Sequence, residues 1–198
     1  IEVGKIGATP VSKGEILGEL IGGRSPISGK IKDIDVLKGI LNEHRKKNDK
    51  IVFTNGCFDI LHVGHIEYLK FARKQGDLLV VGLNTDRSVE SQKGPTRPFG
   101  SEAERAKMLA ALEDVTYVVL FEELTPMNLI KAVKPDVLVK GEDWKNAGAV
   151  GGELVESYGG KVVYAPFVDG VSTTNIVSRI IKRHTQIESL KDAAGQVQ

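Results

Sequence analysis

Five short apolar runs, each followed by residues with helical periodicity, constrain this chain more than any other feature. The runs are KIVFT (50–54), LLVVGL (78–83), TYVVLF (116–121), VLVK (137–140) and KVVYA (161–165). They are rich in β-branched and aliphatic residues and do not alternate with polar ones, so both faces of each strand must be covered. Strands of this kind separated by helices give an α/β, Rossmann-like fold: an open parallel sheet with helices on both faces. Open sheets bind ligands beyond the carboxyl ends of their strands. That places residues 54–65, 84–100, 141–146 and 166–174 along one candidate site.

The helix signals between the runs are clear. Val36, Leu37, Ile40 and Leu41 recur at helical spacing and predict a helix over 35–47. Ser101 and Glu104 form a capping box, and Thr125 before Pro126 predicts an N-cap with proline at the first helical position. Gly159 and Gly160 are expected to close a helix running through Leu154 and Tyr158. Residues 22–33, GGRSPISGKIKD, read as a linker, and the sequence after Arg183 reads as a frayed tail. The expected division is 1–33 as a leading segment with its linker, 34–184 as the α/β domain, and 185–198 as a C-terminal tail.

The 198 residues carry 27 basic and 26 acidic side chains, a net charge of +1. That balance argues against a broad electrostatic grip on nucleic acid or an acidic membrane. The single cysteine, Cys57, excludes an internal disulfide and fits a reducing compartment. No apolar stretch approaches the ~20 residues a membrane span requires, so cytoplasm is the default reading.

The chemistry concentrates in four stretches. In FTNGCFDILHVGH (53–65), Gly56 permits a tight turn after the first strand, and Gly64 allows a ligand close to the backbone. With a helix starting near His62, His62 and His65 lie one turn apart on one face, beside free backbone N–H groups. This is a phosphate-handling arrangement without a P-loop. An H-x-x-H pair taken alone is more often a surface feature, and no further Cys or spaced His completes a zinc set with Cys57. In KGPTRPFGSEAER (93–105), Lys93, Arg97 and Arg105 are candidates for neutralising a triphosphate. In GEDW (141–144), Gly141 admits a ligand, Asp143 could bind a sugar hydroxyl or a metal, and Trp144 could stack on a ring or simply pack. In FVDGVSTTNI (167–176), Ser172, Thr173 and Thr174 bring hydroxyls to the positive end of the last helix.

TNGCFDILHVGH together with GVSTTNI resembles the H-x-G-H nucleotidyltransferase superfamily, whose members transfer a nucleoside monophosphate onto a phosphorylated acceptor. NTDRSVESQKG, RPFGSEAERAKMLAALEDVTYVVLFEELTP and PDVLVKGEDW look most like its heptose 1-phosphate adenylyltransferase branch, where this domain follows a sugar kinase. The first ten residues, IEVGKIGATP, resemble the end of such a kinase. The resemblance implies that ATP and D-glycero-β-D-manno-heptose 1-phosphate give ADP-heptose and pyrophosphate, with Mg2+ accompanying ATP. It implies catalytic roles for His62, His65, Lys93 and Arg105. Nucleotide contacts would come from Asn55, Gly56, Cys57, Phe58, Gly64, Gly141, Ser172, Thr173 and Thr174. Contacts to the sugar phosphate would come from Asp59, Asp143 and Trp144, with no dedicated metal ligands. A homodimer is a further expectation, since related domains often pair. The glycerol-3-phosphate cytidylyltransferase branch has an arginine where this chain has Phe167, which favours ATP over CTP. A cytidylyltransferase acting on a small alcohol phosphate is the nearest alternative, because GEDW is nearly identical in that branch. A non-catalytic nucleotide-binding module is a third reading, and the presence of both histidines argues against it.

Overall fold

The computed structural model describes residues 27–166 and 172–195. The kinase-like opening and Phe167 lie outside the described residues. Five strands, β1 (Ile51–Gly56), β2 (Leu78–Asn84), β3 (Tyr117–Phe121), β4 (Val137–Gly141) and β5 (Lys161–Ala165), form one sheet in the order β3-β2-β1-β4-β5. Every pairing is parallel. The chain builds outward from β1 to β2 and β3, then crosses back to lay β4 on the other side of β1. This reversal is the topological switch point, where open α/β sheets place their ligands.

Among the described residues seven α-helices flank or join the strands: α1 (Ile34–Lys46), α2 (Val63–Arg73), α3 (Asp86–Lys93), α4 (Glu102–Ala111), α5 (Met127–Val133), α6 (Gly152–Ser157) and α7 (Thr173–Gly195). The two-residue period of each strand divides the core into two layers. Ile51, Phe53, Val80 and Leu138 face Leu37 and Leu41 of α1, Ile130 and Val133 of α5 and Val155 of α6. Val52, Leu79, Val81 and Val139 face Leu69 and Ala72 of α2 and Ala106, Leu109 and Ala110 of α4. Burying each large aliphatic side chain stabilises the fold by roughly 1.5–3 kcal/mol. The continuous apolar runs are therefore explained by two covered faces.

β1 and β2 stay in register from Ile51–Leu78 to Gly56–Leu83. β1 and β4 pair only at Val52–Val137 and Phe53–Leu138. Beyond those pairs the two strands separate, and side chains span the gap. Tyr68 of α2 donates from its hydroxyl to the Val139 carbonyl at 3.0 Å and lies 2.6 Å from Thr54 Oγ1.

Three local expectations change. Residues 27–33 are docked rather than a free linker: Ile31 bridges to Val118, the Lys32 N–H donates to the Val118 carbonyl, and Lys30 Nζ donates to the Leu112 carbonyl. Helix α5 starts one residue later than expected, with Pro126 rather than Thr125 in the capping position and no side-chain cap. The last helix continues past Arg183 to Gly195, where a frayed tail was expected. The capping box at Ser101 and Glu104 forms as read. Gly159, at φ +89°, follows the end of α6.

Deleting residues 1–33 should lower the thermal midpoint by several degrees relative to deleting 1–26. The longer cut removes the Ile31 and Lys32 pairing to β3 and the Lys30 contact, and each lost hydrogen bond costs about 1 kcal/mol. Thermal melts of the two truncations check this, and equal midpoints would count against the docked segment.

Candidate active site

A cavity of about 690 Å³ opens over the switch point, lined by the carboxyl ends of β1, β2, β4 and β5 and by segments that follow the strands, among them Leu124–Pro126 after β3. Its floor is the turn after β1. Phe58 adopts φ +45°, in the left-handed region, where a non-glycine residue is strained. That turn buries the Phe58 ring and sets it 5.2 Å from the His65 ring.

His62 is the N-cap of α2 in an extended conformation, and its side chain caps nothing. Helix α2 thus begins without a Ser, Thr, Asp or Asn acceptor, so its first N–H groups are left to a ligand. The two imidazoles stack at 3.8 Å between centroids, 24° from parallel. The Nδ1 atoms of both rings are buried without a hydrogen-bond partner. Burial, then the neighbouring His62 and Lys93, pushes the His65 imidazole down to about 4, outweighing the Ile60 carbonyl that favours the charged form. Burial also lowers His62. Two adjacent imidazoles with orphaned nitrogens at an uncapped helix start form a site for an anion with several oxygens.

The other expected residues divide into two groups. Asn55, Gly56, Cys57, Phe58, Gly64, Lys93, Gly141, Asp143, Trp144, Ser172 and Thr173 all line the cavity. A Cβ at Gly141 would stand 2.4 Å from Asp143 Oδ1, so a larger residue there would displace that carboxylate. Ser172 caps α7 by accepting from the Asn175 N–H at 3.1 Å. Thr174 is exposed and does not line the cavity.

Arg105 does not reach the cavity, which corrects the expectation that it shares the triphosphate charge with Lys93. It is 1% exposed, and its guanidinium donates to the Gly100 and Cys57 carbonyls and to Asp86 at 2.7 Å. It is a strut beneath the site. Asp59 lines the cavity, but its carboxylate is already engaged. It pairs with Arg97 and accepts from the Phe99 N–H at 2.6 Å. Burial pushes its pKa up, but the Arg97 hydrogen bond and the Phe99 and Gly100 amides outweigh that, leaving the carboxyl below its usual range. Asp59 thus ties the 94–100 loop to the β1 turn. Arg97 is occupied by this pairing and sits 4.3 Å over the Phe99 ring.

Sequence reasoning missed Lys140, the penultimate residue of β4. It is 6% exposed, lines the cavity and donates from Nζ to Asn55 Oδ1. A lysine ending an apolar strand ordinarily marks where the strand meets solvent. Only the separation of β1 from β4 reveals that this one points into the cleft. Tyr68, Asn84, Gln92, Leu124 and Pro126 also line the cavity and were not singled out.

A five-stranded parallel sheet in this order, with an H-x-G-H helix start over its switch point, defines a nucleotidyltransferase-type α/β domain. The chain belongs to the cytidylyltransferase-like family, matched over residues 53–183, and is a nucleotidyltransferase. It is 52% identical over 184 residues to the bifunctional protein HldE of Geobacter metallireducens, covering 93% of this chain and 38% of that one. It is 53% identical over 180 residues to HldE of Geotalea uraniireducens, covering 91% and 37%. The chain thus spans little more than a third of the length of these relatives. A lipopolysaccharide core biosynthesis protein from Thermoplasma volcanium is 33% identical with a TM-score of 0.51, covering 61% of this chain and 97% of that one. A pantoate-beta-alanine ligase from Francisella tularensis, 20% identical with a TM-score of 0.50 over 69% of this chain and 66% of that one, shares the fold alone.

The state of His65 has a measurable consequence. Its imidazole titrates near 4 when folded and near 6.5 when unfolded. Between those values the unfolded chain holds more protons, so stability falls as pH drops through the window. His65→Gln removes this dependence and should gain stability relative to the unsubstituted protein as pH falls from 7 to 4. Denaturant titrations across that range test it, and parallel pH profiles would rule it out.

Proposed function

We propose that this domain transfers the adenylyl group of ATP to D-glycero-β-D-manno-heptose 1-phosphate, giving ADP-heptose for lipopolysaccharide and releasing pyrophosphate. The observation that carries the reading is the stacked His62–His65 pair at an uncapped helix start inside the cavity. The heptose assignment draws support from the HldE relatives and from the motif order. ATP and sugar phosphates are cytoplasmic metabolites, which puts the reaction in that compartment.

A phosphate oxygen of the acceptor attacks the α-phosphorus of ATP. The bond from that phosphorus to the bridging oxygen breaks, and its electron pair leaves with pyrophosphate. The nucleophile is already an anion, so no strong base and no covalent intermediate are needed. The protein's task is in-line positioning and stabilisation of charge on the transferring and departing phosphoryl groups. His65 is neutral near pH 7, so it acts as a hydrogen-bond donor rather than a fixed cation, and His62 stacks beside it. Lys93 and the first N–H groups of α2 supply positive potential. Ser172 and Thr173 at the start of α7 offer further donors to the phosphates.

Magnesium would accompany ATP. The ion prefers one or two carboxylates together with substrate phosphates and water. Asp143 on the cavity wall fits that role. Among the described residues no group of three His, Cys, Asp or Glu side chains could hold the ion alone. Bound there, it would offset charge on the triphosphate.

A pyrophosphate-release assay across four nucleoside triphosphates, sugar 1-phosphates and glycerol 3-phosphate tests the reading. The highest kcat/KM is expected with ATP and the heptose 1-phosphate. Equal or better turnover with CTP and glycerol 3-phosphate would move the chain to the cytidylyltransferase alternative. Nucleotide binding without pyrophosphate release would favour a binding module. His65→Ala should lower kcat by about 10²–10³-fold, the usual loss when one donor to developing charge is removed. The circular-dichroism spectrum should be unchanged.

A further inference from the structure

We infer that Lys140 is a second cation of the phosphate site, binding a phosphoryl oxygen of the nucleotide from the β4 side of the cleft, opposite Lys93. The inference deepens the nucleotidyl-transfer reading and rests on it. Three observations carry it. Lys140 is 6% exposed, yet its side chain forms part of the cavity wall. Among the described residues its one hydrogen bond is to the neutral amide of Asn55, and no carboxylate lies within ion-pairing distance. It stands where β1 and β4 have ceased to pair, so its Nζ bridges a gap that backbone hydrogen bonds leave open.

Packing alone does not account for this placement. Burying an ammonium without an anion is costly. An apolar or amide side chain would close the gap between the strands at less cost. Burial also pushes the amine down to about 8, against the pull of Asp143, as a desolvated cation without a close counter-ion should respond. The Trp144 ring, 5.8 Å from Nζ, gives only a weak further attraction. An ammonium has three donors, and a phosphoryl oxygen entering the cleft would supply the missing negative charge.

The test separates a binding role from a structural one. Lys140→Met keeps the length and removes the charge. The expected result is a folded protein whose ligand-free thermal midpoint is unchanged or raised, because an uncompensated buried charge has gone. ATP affinity by calorimetry should fall about 10- to 100-fold, the usual worth of a charged hydrogen bond, and kcat/KM should fall at least as much. A lowered midpoint with unchanged ATP affinity would make Lys140 a strand tie and overturn the inference.

A second measurement needs no substitution at Lys140. ATP affinity of the unsubstituted protein should weaken as pH rises through about 8, where the free amine loses its proton. Of the groups around the amine, Asn55 does not titrate, Asp143 is a carboxylate, Tyr68 is raised to about 12, and His65 and His62 are lowered. The same titration in Lys93→Met separates the two lysines. A flat profile from pH 7 to 9.5 would overturn the inference even if Lys140→Met failed to fold. ATP binding with no pyrophosphate released from any acceptor would sink the proposed reaction and leave Lys140's role standing. Full turnover in Lys140→Met would sink the inference and leave the reaction standing.

Discussion

The site depends on one geometric constraint: β1 and β4 stop pairing after Phe53 and Leu138. The order in which the chain adds strands reverses there, and helices from the two halves pack on opposite faces. Parting strands expose backbone groups that must find other partners. Tyr68 supplies one by donating to the Val139 carbonyl, so Thr54, 2.6 Å away, must donate to the tyrosine oxygen. Further out, Lys140 reaches Asn55 across the same gap. The crevice is thus held open by polar side chains, which makes it a place where a polar ligand can enter.

The rim is organised by charge paired within the protein. Arg105 joins the β1 turn through the Cys57 carbonyl, the 94–100 loop through Gly100, and the start of α3 through Asp86. The Asp59–Arg97 pair ties the same loop to the same turn from the other side. A guanidinium suits the first task because its donors lie in a fixed plane and can serve several acceptors together. Losing a partner in such a buried network costs far more than the network contributes over an apolar replacement. The effect is to preorganise the loop that follows Lys93 and the turn that leads into the histidine-bearing helix α2.

The sheet was legible because its strands are covered on both faces, which leaves unbroken apolar runs in the sequence. The H-x-G-H start was legible because its residue types and spacing are local. The roles of the charged residues were not. Arg105 stands in a Gly/Pro-rich basic segment, and nothing in that segment separates a buried strut from a solvent-facing phosphate ligand. Asp59 was read as a sugar contact because its partner, Arg97, is distant in sequence. Lys140 was overlooked because its placement in the cleft follows from strand order, a property of the whole chain. The docking of residues 27–33 onto β3 was hidden in the same way, since GGRSPISGKIKD has linker composition whether or not its end finds a strand to join.

The two helix starts facing the cavity divide the work. Helix α7 is capped by its own Ser172, which accepts from Asn175, so one of its free N–H groups is satisfied without a ligand. Helix α2 has a histidine in that position with no cap bond. A Ser there would stabilise the helix by about 1 kcal/mol, but it would also occupy an amide that an anion needs. The uncapped α2 start costs stability, as does the buried Lys140 ammonium. On the proposed reading an anion with several phosphoryl oxygens would offset both, so each penalty stands where a phosphate oxygen would cancel it.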